Sequence, residues 1–100
     1  MGERVVRVVS LWIHPGQEAA FDAFEREAAR IMARHGGRID QAVRVAAEAG
    51  APYEIHIVSF PDQAAADSYA ADPETVELRR RRDAIIARTE VVSGVPAGPY

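Results

Sequence analysis

Cysteine, lysine and asparagine are all missing from these 100 residues. The first absence removes disulfides, thiolate nucleophiles, Cys-ligated zinc and iron–sulfur clusters together. The second removes any Schiff-base amine or phosphate-loop lysine, since all 12 basic residues are arginine. The third excludes any mechanism that needs an Asn carboxamide. The glycines at 2, 16, 36, 37, 50, 94 and 98 form no dinucleotide fingerprint and no phosphate loop. Neither HExxH nor GxSxG occurs. No cofactor and no metal is therefore expected. No apolar run approaches the roughly 20 residues of a membrane span, and Met1 to Arg7 hold no signal-peptide core. The expectation is no membrane partner and a cytoplasmic location. A net charge of −3 argues against nucleic acid as a partner.

What is present is ordinary for a folded domain: 48% hydrophobic, 27% charged and 7% aromatic residues. The length suits one domain, read as residues 1–95, with 96–100 as a Gly/Pro-rich C-terminal tail. Arg4 to Ile13 (RVVRVVSLWI) is rich in β-branched residues and reads as a strand. His14-Pro15-Gly16 breaks it. From Gln17 to His35, apolar residues recur at Phe21, Phe24, Ala28, Ile31, Met32 and His35, the spacing of a helix. Glu25, Arg26, Glu27 and Arg30 are read as lying mostly on its other face. Gly36-Gly37 ends it. Arg38 to Ala46 reads as a second strand, Ala49 to Pro52 as a turn, and Tyr53 to Phe60 (YEIHIVSF) as a third strand. Gln63 to Ala71 is helical, and Asp72-Pro73 supplies a cap and a new helix start. That helix is expected to run from Glu74 to Ala87, with Val76, Leu78, Ile85 and Ile86 as its apolar contacts. Thr89 to Val95 is the last strand. The order is β-α-β-β-α-β, an α+β ferredoxin-like sandwich.

This topology places strands one and three centrally, with the helices on one sheet face. Parity gives Tyr53, Ile55 and Ile57, with Val9, Leu11 and Ile13, to the helix side. The other face then carries Val6, Val8, Ser10 and Trp12 from strand one and Glu54, His56, Val58 and Phe60 from strand three. An uncovered face this apolar marks an interface. Two such sheets packed face to face would enclose a small barrel, so a homodimer is expected.

Four segments carry a resemblance: HGGR (His35 to Arg38), FPDQAAADSY (Phe60 to Tyr69), ADPE (Ala71 to Glu74) and TEVVSG (Thr89 to Gly94). Their order and spacing resemble those of a small bacterial domain-of-unknown-function family within the dimeric α/β-barrel superfamily. In that family they correspond to a GGR turn, an FP-x-x-x-x-A segment, a small residue-Pro-Glu step and a closing V-V-x-G strand. The resemblance covers nearly the whole chain and implies the fold. The superfamily holds cofactor-free monooxygenases, isomerases, haem-dependent enzymes and proteins with no assigned reaction, so the resemblance implies no single reaction.

The candidate chemistry is expected on the face opposite the helices. His56, mid-strand, has Glu54 two residues before it, roughly 7 Å away on the same face. A His beside a carboxylate can serve as a general base near neutral pH, with Glu54 orienting it. The commoner role of such a pair is a structural hydrogen bond, here across the dimer interface. Trp12 would stack on an aromatic ligand or simply fill the interface. Ser10 would donate to a ligand, and Phe60 would add an apolar wall. Arg44 and Arg38, turned inward, would clamp a carboxylate or enolate; solvated edge arginines are the commoner outcome. His14 reads as a loop residue and His35 as a helix C-terminal one. With strands one and three taken as parallel, His14 lies well over 10 Å from His56, too far to share a metal. Arg79 to Arg82 point in four directions about 100° apart, a solvated helix face with pairs such as Glu77–Arg81.

Two functions follow. One is a homodimer whose barrel cavity binds a compact, largely apolar small molecule, with cofactor-free isomerase or monooxygenase-like action. The other is a structural or regulatory dimer whose barrel is filled by Trp12, Phe60 and Tyr100. An open cavity of a few hundred Å³ favours the first.

Overall fold

The computed structural model describes residues 3–100; Met1 and Gly2, at the start of the stretch expected to hold no signal-peptide core, lie outside them. Strand β1 is Val5–Ile13, helix α1 Glu18–Ala33, β2 Arg38–Arg44, β3 Glu54–Phe60, α2 Gln63–Ala71, α3 Pro73–Arg80 and β4 Ile86–Gly94, with a short 3₁₀ turn at Arg82–Ala84. The strands form one antiparallel sheet in the order β2-β3-β1-β4. The three helices lie on one face, so the ferredoxin-like α+β architecture expected from the sequence is the one observed. No helix among the described residues is long and apolar enough to cross a membrane.

Local chemistry sets the element ends. Gly36, at φ +76°, takes the left-handed position after α1, and the Gly37 N–H returns to the Met32 carbonyl at 3.0 Å. Gly37 also lies against Phe60 and Met32 so closely that a Cβ would overlap both. Asp62 caps α2 through the Ala65 N–H at 2.8 Å, and Asp72 caps α3 through the Glu74 N–H at 2.9 Å. The last helix is shorter than expected, ending at Arg80 instead of Ala87. Ile85 and Ile86 are β-branched, and Ile86 already pairs with Ile13 across a β-bulge. Val76, expected inside, is exposed.

The core lies between sheet and helices. Phe21, Phe24, Ala28 and Ile31 of α1 meet Leu11, Leu78 and Ile86. A second cluster joins Met32 to Val58, Phe60 and Ala66.

The register corrects two expectations. Strands β1 and β3 run antiparallel, with Val9 opposite His56 and Leu11 opposite Glu54. His14 therefore lies beyond the Glu54 end of the pair, roughly 10 Å along the strand from that level. The faces of β3 are also the reverse of those assigned by parity. Glu54, His56, Val58 and Phe60 are buried toward the helices, while Ile57 is 36% exposed on the other side. Tyr53 does face the helices, ring edge to Phe21 at 5.6 Å, but the regular alternation starts afresh at Glu54. Polarity misled here because Glu54 and His56 satisfy each other, which makes their burial affordable.

Candidate functional site

His56 stands mid-strand in β3, packed beside Phe21 of α1 and 3% exposed. With its proton on Nε2, it donates to Glu54 Oε2 at 2.5 Å. The Glu54 carboxylate in turn accepts from Arg44, at 2.8 Å from Nε and 2.7 Å from Nη2. Arg44 lies over the Tyr53 ring, 4.3 Å from its centroid, at the sheet edge. A charge-assisted chain thus fixes the imidazole from the surface inward. The other ring nitrogen, Nδ1, faces Glu25 Oε2 of α1 at 3.7 Å. Burial raises the Glu25 pKa above its usual value; His56 and Arg82 oppose the rise and Glu54 adds to it. Glu25 therefore keeps its proton to higher pH than an exposed carboxyl would.

Both residues line a cavity of about 410 Å³ that opens to solvent between the helices and the sheet. Val9, Phe24, Met32, Val58 and Phe60 make its walls largely apolar. Thr75, 2% exposed, also lines it, and its Oγ1 is buried without a hydrogen-bond partner. The Tyr69 hydroxyl at the same cavity has its pKa raised, by burial first and then by Glu25. Such a cavity, with a few convergent polar groups, has the form of a small-molecule site.

The structure divides the residues singled out by the sequence. His56, Glu54 and Phe60 are on the helix side, with His56 and Phe60 lining the cavity. Ser10 and Trp12 are on the opposite face; Ser10 pairs with Ile55 and Glu90, and Trp12 Nε1 donates to the Gly50 carbonyl at 3.1 Å under the Arg88 guanidinium. The expected grouping of Ser10 and Trp12 with His56 does not form, because β3 is turned over relative to β1. Arg44 stands behind the imidazole, holding Glu54, and is absent from the cavity lining. Arg38 is at the surface with Asp40, 2.6 Å away. His14 donates to the Asp83 carbonyl at 2.9 Å. His35 pairs with Asp72 at 2.7 Å.

Sequence reading missed Glu25, Thr75, Tyr69 and the cavity arginines Arg7, Arg79 and Arg82. By its charge, Glu25 is grouped with the mostly outward residues of α1, whereas the structure turns it inward. Its signal was the series Phe21, Glu25, Ala28, Met32, which keeps it on the buried stripe. The run Arg79 to Arg82 does diverge, but two of its members reach this cavity. Arg81 pairs with Glu27 at 3.0 Å, and Glu77 meets Arg80 instead.

Residues 9–95 match the family described as Domain of unknown function (DUF1330). The chain belongs to the DUF1330 family. No curated protein matches this DUF1330 chain. Among solved structures it is similar to the RPA0582 protein of unknown function from Rhodopseudomonas palustris, at 16% identity over 99% of this chain and 86% of that one, TM-score 0.83. A DABB family protein with a ferredoxin-like fold from Mesorhizobium loti is 20% identical over 95% and 98%, TM-score 0.72. SnoaB, a cofactor-independent oxygenase from Streptomyces nogalater, is 16% identical over 98% and 97%, TM-score 0.76. At these identities the likeness is one of fold.

Proposed function

We propose that this DUF1330 protein is a homodimeric, cofactor-free enzyme that takes a compact, largely apolar molecule into the cavity between helices and sheet and moves a proton on it. The observation that carries this reading is the Glu25–His56 pair at the apolar cavity. His56, its Nε2–H held by Glu54, presents Nδ1, 3.7 Å from Glu25 Oε2, to accept a proton from a carbon beside a carbonyl. Glu25, whose pKa burial raises, can donate a hydrogen bond in its protonated form to the oxygen that gains charge. The reading supports isomerisation ahead of oxygenation, although the oxygenase with this fold is a reason to retain monooxygenase-like action as a fold-level analogy. The homodimer is supported by the uncovered sheet face, where Ile57, Val8 and Val92 form an apolar row flanked by Val43. A self-filled barrel has less support, because Phe60 faces the helices, Trp12 faces away from them and Tyr100 is fully exposed.

Deuterium uptake from D2O into phenylacetone, a small enolisable ketone, tests the proton transfer. The wild-type protein is expected to accelerate uptake, and His56→Ala to lose at least about 100-fold of that acceleration. No acceleration by the wild type, or an unchanged rate in His56→Ala, contradicts the assignment.

A further inference from the structure

The chain carries a net charge of −3, yet the cavity collects positive charge. Seven of the 12 arginines form ion pairs with carboxylates. Among the described residues, five arginines have no carboxylate at ion-pair distance: Arg26, Arg4, which donates to the Ser59 hydroxyl, and Arg7, Arg79 and Arg82, which line the cavity. Glu25 is the one acidic residue in that lining. Their placement is structural. Arg7 projects to the helix side of central strand β1, opposite Ser93, its guanidinium 5.7 Å from the Phe60 ring centroid. Arg79 follows Thr75 by one helical turn, so both share one face of α3. Arg82 is held over the β4 side by its hydrogen bond to Thr89 Oγ1. The unpartnered Thr75 hydroxyl is an independent sign that a polar group of a ligand belongs here.

Three guanidinium groups facing one carboxyl, Glu25, beside an apolar wall leave a surplus of positive charge that suits an anionic ligand. Guanidinium groups bind carboxylates with paired, charge-assisted hydrogen bonds, strongest where water is excluded. We infer that the cavity selects a compact organic acid, its carboxylate met by Arg7, Arg79 and Arg82 and by the Thr75 hydroxyl, its apolar body against Phe24, Val58 and Phe60. This selection rests on the cavity being a small-molecule site.

The test compares phenylacetate with phenylacetamide, which share shape but not charge, by calorimetric titration at low salt. Phenylacetate is expected to bind at least tenfold more tightly. Arg7→Gln is expected to reduce that preference at least threefold while leaving phenylacetamide within about twofold. Arg79→Gln, at an exposed position, should reduce the preference at least threefold. Equal binding of the acid and the amide overturns the anion selection and leaves the small-molecule site standing. A preference that survives both substitutions overturns the arginine assignment. Binding of neither compound overturns the selection together with the cavity reading on which it rests.

Discussion

Glu25 occupies a position where ionisation is costly, since burial outweighs the help of His56 and Arg82. A carboxyl whose pKa is raised by folding leaves the folded state less stable above the ordinary carboxylate range, and the cost disappears where both states are protonated. Glu25→Gln is therefore expected to melt at a higher temperature than wild type at about pH 7, with the difference gone below the ordinary value of 4.5. A variant destabilised equally at both pH values would identify Glu25 as a structural hydrogen-bonding residue. The Glu54–His56 pair was legible in the sequence, because two residues apart in a strand share a face. Glu25 was not, because its charge suggested solvent while its spacing from Phe21, Ala28 and Met32 placed it inside. Thr75 carries no sequence mark at all; only the missing hydrogen-bond partner reveals it.

At the scale of elements, Asp72 ties α1 to the joint between α2 and α3. It caps α3 and accepts from Arg34 at 3.0 Å and His35 at 2.7 Å. The His35 hydrogen bond, then the Glu74 N–H and the Arg34 contacts, lower its pKa to about 2. A lowered carboxyl pKa stabilises the fold above the unfolded value of 3.8, and that contribution is lost as pH falls through about 2. Asp72→Asn keeps a capping side chain and loses the charge. It is expected to be less stable than wild type at neutral pH, with the gap closing between about pH 4 and pH 2 in denaturant melts. A gap that persists at about pH 2 would trace the effect to the cap instead. Capping, glycine stops and apolar spacing made the element order readable. The end of α3 was not, because Ile85 and Ile86 fit a helix stripe as well as a strand start. The phase of β3 was hidden too, since the buried face carries Glu54 and His56 while Ile55 and Ile57 lie on the other.

For the whole molecule, the two sheet faces have separate roles: the helix side holds the cavity and the other side is the surface proposed to pair subunits. Ile57, 36% exposed in the central apolar row, tests the pairing. Ile57→Glu is expected to shift the protein from dimer to monomer in sedimentation, and a wild type already monomeric at micromolar concentration would remove the dimer from the account. The sequence conveyed that one face would be uncovered, but assigned His56 to it. The central claim is that ligands enter on the helix side. Amide chemical shifts followed during titration with phenylacetate decide this most directly. The largest changes are expected at residues 25, 56, 58, 75 and 91, around the cavity; changes centred on residues 8, 10, 12, 57 and 92 would contradict it and place the site between subunits.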